Sequence, residues 1–382
     1  MSSLFRRLPL GAIVDVSMPV LAVLAALGVG ALMLLTLGAN PVEAYGALLE
    51  GAFGSVNAIA ETAVKATPLL LVGLGICISF RANVINIGGE GQMVVGALVA
   101  VAVALAAPDL PPLLLLPAVL LTGFLAGGLW GGIPGVLKAY LNVNEILSTI
   151  MLNIVAVQGM NFLLRGAMID PAEIEAGTRI PQTMRLSPAA DLPVLVRDTR
   201  LHLGVIIALA LAVVVYIFLW RTTIGYRIRA VGHNPDASRY AGINVKRYTM
   251  LALVLSGAFA GLAGAILVFG SESHRMVTDG SATGFTGSAG FNGIVAALFG
   301  GLHPLTTIPA SFLFGALLVG ANKLQRAVQV PAALIGALNG LVVIFVVSTE
   351  LIRHRLTLRR ALREPESAKD TQPTQTESSH AK

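Results

Sequence analysis

The sequence is short of charge. Asp, Glu, Lys and Arg make up 12% of its 382 residues, where an ordinary soluble domain carries roughly 25% and needs them for its surface. With 55% hydrophobic residues and a mean hydropathy of +0.80, the chain does not cover a water-facing surface of its size, so lipid faces much of it. Cysteine is nearly absent. The single Cys77 excludes an intrachain disulfide and a thiolate zinc site, and reads as a small buried hydrophobe. A phosphate-binding loop is missing as well. Gly315 to Lys323 approaches the Gly-x-x-x-x-Gly-Lys-Ser/Thr pattern, but Ala321 follows its second glycine and the stretch is apolar, so any ATP chemistry belongs to another polypeptide. His202, His233, His274 and His303 stand at loops or span edges without metal-ligand spacing, so neither a metal nor a membrane-embedded metalloenzyme is expected.

What is abundant is apolar length. A helix needs about 20 mostly apolar residues to cross the hydrocarbon core, and runs of that kind recur along the chain. The fold expected is an all-α membrane protein, a polytopic bundle of about ten transmembrane helices, several of them short or broken by Gly and Pro. The spans centre near Leu27, Leu71, Ala97, Gly123, Val155, Ala210, Phe259, Val295, Phe314 and Val343. Pro68 lies inside the second and Pro134 near the end of the fourth. Arg6 and Arg7 precede the first run, from Met18 to Leu37, which is too long for a signal-peptide core and is kept as a helix. The 41 glycines suit close helix packing, and Gly127–Gly131 and Gly257–Gly261 show GxxxG spacing without saying which helices pack.

The pI of about 9.7 and the formal charge of +6 read as the Lys/Arg excess that orients membrane helices, with membrane lipid and no nucleic acid as partner. Arg6 and Arg7, the loop with Arg221, Arg227, Arg229, Arg239, Lys246 and Arg247, and the run Arg353 to Arg363 all fall on one side of an even-numbered bundle. That side is assigned to the cytoplasm, with both termini. Lys323 and Arg326 fall on the other side. The permease domain spans 1–363, with an outer loop over 166–202 and a cytoplasmic loop over 221–248. The tail, 364–382, is polar without periodicity and is expected to be disordered.

The loop RTTIGYRIRAVGHNPDASRYAGINVKRY, from Arg221 to Tyr248, carries a complete set of helix-end signals. Asn234 is an N-cap, Pro235 fits the first helical position, Asp236 and Arg239 suit the helix dipole, and Gly242 supplies a left-handed terminus. They predict a two-turn helix from Pro235 to Ala241 outside the membrane, with Ala237, Tyr240 and Ala241 on one face. Such a knob suits a groove on a partner; a capped surface helix with no partner is the plainer reading.

Polar residues inside spans face the bundle interior or an aqueous cavity. Glu90 and Gln92 open the third span; Glu145, Thr149 and Asn153 recur every four residues on the fifth, Gln158 and Asn161 lie on another of its faces, and Asn292 and Asn339 mark later spans. Glu90, Gln92, Glu145, Thr149, Asn153 and Asn292 are candidates for a solute pathway; the alternative is helix–helix glue at about 0.6 kcal/mol per contact. Glu90 reads as a gate, a helix cap or a structural contact. A helix polar on two faces, as the fifth is, should be deeply enclosed. Glu61 and Lys65 are spaced for a local ion pair. The lack of carboxylates in span centres argues against an ion-coupled secondary transporter.

GYRIRAVGHNPDASRYAGINV resembles the cytoplasmic coupling segment of bacterial ABC-importer permeases of the branched-chain amino acid, ribose and nucleoside superfamily. FRANVINIGGEGQMVVGA (80–97), VNEILSTIMLN (143–153) and GFNGIVAALFGGLHP (290–304) agree with that family in order. The chain is most similar to the longer permease of nucleoside, basic-membrane-protein-type uptake systems. The resemblance implies a multi-pass subunit of the bacterial inner membrane that catalyses no reaction itself. It works with a separate ATPase that holds ATP and Mg, a second permease with which it forms a heterodimer, and an extracytoplasmic solute-binding protein. It also implies that Asn234, Pro235, Ala237, Tyr240, Ala241 and Gly242 couple to the ATPase. A nucleoside is the expected solute, with a simple sugar as the alternative. The long outer loop has no counterpart among the matched motifs.

Overall fold

The apolar runs become helices because only a helix satisfies its own backbone inside lipid. The structure, a computed structural model, describes residues 10–271 and 273–331 and seven positions between Gly336 and Ser348. Fourteen α-helices lie among the described residues: α1 (Leu10–Thr36), α2 (Pro41–Phe53), α3 (Val56–Arg81), α4 (Gly89–Ala106), α5 (Pro112–Leu141), α6 (Glu145–Arg165), α7 (Pro171–Glu175), α8 (Gly204–Arg221), α9 (Thr223–His233), α10 (Pro235–Tyr240), α11 (Val245–Phe269), α12 (Ala282–Thr286), α13 (Ala289–Phe299) and α14 (Pro304–Val328). Among the described residues there is no strand beyond two isolated bridges. Seven helices are long and apolar enough to cross a membrane: α3, α4, α5, α6, α8, α11 and α14.

Nine of the predicted span centres fall inside helices. Val343, Asn339, Arg6, Arg7, the basic run from Arg353 and the tail lie outside the described residues. The run centred on Val295 departs from a simple span. It is broken into α12 and α13, and the 11 residues of α13 rise only about 16 Å. The short α2 is an addition. Its start follows local rules, with Asn40 Oδ1 accepting from Val42 N at 3.0 Å and Pro41 at the first helical position.

The core is built on small residues. α3 and α11 are the most enclosed helices, with 78% of their most apolar stretch buried. The two GxxxG patterns pack on each other: a Cβ on Gly261 of α11 would stand 2.7 Å from Gly127 Cα of α5, and one on Gly257 2.9 Å from Gly131 Cα. A Cβ on Gly96 of α4 would stand 2.5 Å from Gly261 O, so three helices meet at one glycine. Gly261→Ala is therefore expected to cost about 1–3 kcal/mol by overpacking. Thermal unfolding of the purified chain reads this, with Gly159→Ala, which opens into free space, as the control. An unshifted midpoint for Gly261→Ala contradicts the packing.

Two expectations are corrected. α6 is peripheral rather than deeply enclosed, with only 28% of its most apolar stretch buried. Its polar residues meet specific partners instead: Asn153 turns to α4, and Asn161 Nδ2 donates to Gly280 O at 3.1 Å while its Oδ1 accepts from Thr278 at 3.0 Å. Gln158 lies on the exposed face. Glu61 meets Arg200 at 3.6 Å in place of Lys65, because the 166–202 loop brings an arginine over α3. Lys323, the awkward charge of the orientation scheme, is paired with Glu50 of α2 at 2.7 Å.

Candidate coupling segment and interior helix starts

The segment after α8 is held by short-range bonds. Thr222 caps α9 through Gly225 N at 3.1 Å. Ile228 and Val231 bury the inner face of α9, and Gly232 lies so close to Arg81 that a Cβ would stand 2.8 Å from its carbonyl carbon. Asn234 Oδ1 then accepts from Ala237 N at 3.0 Å, which starts α10 where the cap residues predict. α10 ends at Tyr240, one residue short of the expected end, and Ala241 is its C-cap. Gly242 follows at φ +77°, with Gly242 N donating to Arg239 O at 3.0 Å and Ile243 N to Ser238 O at 2.9 Å. Asn244 caps α11 at once, accepting from Arg247 N at 3.0 Å.

α10 thus has a fixed inner and outer face. Ser238 is buried, at 4% exposure. Ala237, Ala241 and Tyr240 point outward, Tyr240 at 95% exposure. A cavity of about 480 Å³ opens beside it, lined by Arg227, Ala241, Gly242, Arg247 and Tyr248 among others. Arg227 Nη1 donates to Tyr248 Oη at 2.7 Å across it.

A second constellation lies where α4 and α13 begin. The two helix starts abut, since a Cβ on Gly290 would stand 2.5 Å from Glu90 N. Each start leaves backbone N–H groups without intrahelical partners, and side chains from elsewhere fill them. Asn153 Oδ1 accepts from Gly91 N at 2.8 Å, and its Nδ2 donates to Ile87 O at 3.0 Å. Asn86 Oδ1 accepts from Gly88 N at 2.9 Å and from Gln92 Nε2 at 3.1 Å, while Asn86 Nδ2 donates to Ser256 Oγ at 2.8 Å. Glu90, 1% exposed, reaches across to α13. Its carboxylate accepts from Phe291 N at 3.1 Å and from the Thr286 hydroxyl.

The other pathway candidates sit as follows. Thr149 is buried and donates to Glu145 O at 2.7 Å. Glu145 pairs with Lys138 at 2.8 Å. Asn292 is half-buried beside the exposed Phe291. Glu90, Gln92 and Asn153 are thus brought together as caps and bridges of the interior helix starts. Asn86 and Ser256, which complete that network, were missed; Asn86 stands inside the quoted VINIGGEG stretch, but only the fold brings Ser256 to it.

The end of the bundle opposite α10 carries a cavity of about 450 Å³, lined by Glu61, Lys65, Arg200, His202, Arg275 and Phe285 among others. His202 Nδ1 accepts from Gly204 N at 3.1 Å, so its proton stands on Nε2. Burial holds this imidazole below its ordinary pKa. The 166–202 loop is laced to the segment after α11 by Thr183 N to Met276 O at 3.0 Å and Leu186 N to His274 O at 2.7 Å, and by Asp191 with His274 at 2.8 Å. No cluster of metal-binding side chains occurs among the described residues.

Residues 58–347 match the family model described as branched-chain amino acid transport system / permease component. Among curated proteins, the guanosine ABC transporter permease protein NupP of Bacillus subtilis is 38% identical over 340 residues, covering 88% of this chain and 94% of its own. The glucose ABC transporter permease protein TsgB13 of Haloferax volcanii is 35% identical over 346 residues, 88% of each chain. The nucleoside ABC transporter permease protein NupB of Lactococcus lactis is 32% identical over 359 residues, 93% of this chain and 96% of its own. No solved structure matches.

Proposed function

The chain belongs to the permease-component family of branched-chain amino acid transport systems, and on that premise we propose that it carries a nucleoside across the cytoplasmic membrane as one subunit of an ATP-driven importer. The observation that carries the solute assignment is near full-length similarity to guanosine and nucleoside permeases. The similar glucose permease makes a simple sugar the second reading. A separate ATPase supplies the energy, a second permease completes the pathway, and an external binding protein delivers the solute. The outer loop and the cavity beneath it face that protein, while α10 and both termini face the cytoplasm.

The transmission follows from how α10 is mounted. It is capped at both ends and sits between α9, which abuts the end of α3, and α11. The 25 residues of α11 make a rod of about 37 Å. Its far end, from Ile266 to Gly270, walls the outer cavity. A displacement of α10 by the ATPase thus reaches the opposite end of the bundle through helices that are packed on glycine and do not compress. The solute passes between this chain and the partner permease.

Deleting the gene is expected to abolish uptake of labelled guanosine in a strain with no second nucleoside route. Intact guanosine uptake with loss of glucose or ribose uptake replaces the nucleoside by the sugar. The orientation is tested by impermeant thiol labelling of intact cells with outer-membrane access. Arg197→Cys on the outer loop is expected to label and Ala237→Cys on α10 is not. Ala237 serves because its neighbour Ser238 is buried. Equal labelling of the two contradicts the topology.

A further inference from the structure

On the end of the bundle that carries α10, three side-chain nitrogens are buried without partners: Arg81 Nε at the end of α3, Arg229 Nε on α9 and His303 Nδ1 at the start of α14. They gather around one ring, Trp220 at the end of α8. The Arg81 guanidinium lies 5.2 Å from the ring centre and that of Arg229 5.8 Å. The His303 ring lies 4.9 Å away, and Tyr216 closes the side at 5.4 Å from both rings. Arg81 spends one donor on Leu302 O at 3.2 Å. Among the described residues no carboxylate pairs with either guanidinium.

Two like charges on one indole are offset only in part by the ring face. What the arrangement lacks is an anion, and guanidinium forks match phosphate oxygens in pairs. We propose that Arg81, Arg229 and His303, set around Trp220, form a binding site for the phosphate of an anionic phospholipid. The surroundings select a lipid over a free anion. Trp and Tyr at the end of a span mark the headgroup level of a bilayer. The face of α8 leading away from Trp220 is apolar and exposed through Val213 and Ile217, a bed for acyl chains. A lipid held there joins α3, α8, α9 and the start of α14, the mount on which α10 stands.

The chain has two tryptophans, so full-length Trp130→Phe protein reports on Trp220 alone. In uncharged detergent it is titrated with phosphatidylglycerol, phosphatidylcholine and inorganic phosphate. Phosphatidylglycerol is expected to shift Trp220 emission saturably, with no comparable response to phosphatidylcholine or phosphate. The double change Arg81→Gln and Arg229→Gln is expected to weaken the response about tenfold or more, with Arg229→Gln alone as the milder variant should the pair fail to fold. Equal responses to the two lipids, saturation by inorganic phosphate, or an Arg229→Gln protein that titrates like its parent would each overturn the assignment.

Discussion

Replacing Ala241 by glutamate is expected to abolish ATP-driven uptake while leaving the permease in the membrane at its normal level. Ala241 is the C-cap of α10 and is exposed next to Tyr240, at the rim of the cavity lined by Arg227 and Arg247, so the new carboxylate changes the charge and shape of the surface that α10 presents. It meets whatever covers α10. A charge pushed into a closed contact without a partner costs several kcal/mol, and loss of an anchor at the centre of an interface costs about 2 kcal/mol or more. Gly242→Val reaches the same end by another route. Nothing stands within 4 Å of a Cβ there, yet the backbone is at φ +77°, a region that a β-branched residue avoids. It distorts the turn into α11 without touching the contact face. Ala241→Glu is expected to lose both transport and copurifying ATPase, Gly242→Val mainly transport. Ala176→Glu, the same charge on an exposed turn of the 166–202 loop, is expected to change neither. Normal transport by Ala241→Glu reduces the segment to a connector.

Removing the Glu90 carboxylate is expected to destabilise the centre of the permease. In Glu90→Ala the Phe291 N–H and the Thr286 hydroxyl lose the bonds they make to this carboxylate. Losing hydrogen bonds of this kind costs about 1–3 kcal/mol. Glu90→Gln keeps an acceptor oxygen and is expected to lose less. Folded yield and thermal midpoint of the tagged, detergent-solubilised permease measure the difference. If Glu90→Ala keeps its parent's stability and loses only uptake, the residue belongs to the solute route and not to the helix start. Gly290 explains why the arrangement admits no substitute of another shape, since any side chain there would strike Glu90.

The contrast between these two sites shows what the sequence makes legible. α10 could be read residue by residue because Asn234, Pro235 and Gly242 act within one turn of where they stand. The span centres were legible for a similar reason, as an apolar run carries its own reason to be helical. The role of Glu90 was open because its acceptors' partners stand some 200 positions further along the chain, on a helix start that exists only once the eighth run is broken. The signal for that break was present in Gly284, Gly287 and Gly290, but glycine serves equally for close packing, as Gly127 and Gly261 show. The place of α6 was misread because two polar faces imply partners, not burial; Asn153 and Asn161 each find one while the helix stays at the edge. Likewise Glu61 pairs with Arg200 and not Lys65, a contact that depends on where the 166–202 loop folds back.

The central claim is that α10 is the surface on which the ATPase acts. A photo-crosslinking residue in place of Tyr240, which is 95% exposed on α10, tests it in the assembled importer within cells. One dominant adduct is expected, identified by mass as this permease joined to its ATPase subunit, whose yield falls when Ala241→Glu is added. Crosslinking to lipid or to the chain itself, with no ATPase adduct while transport continues, would contradict it.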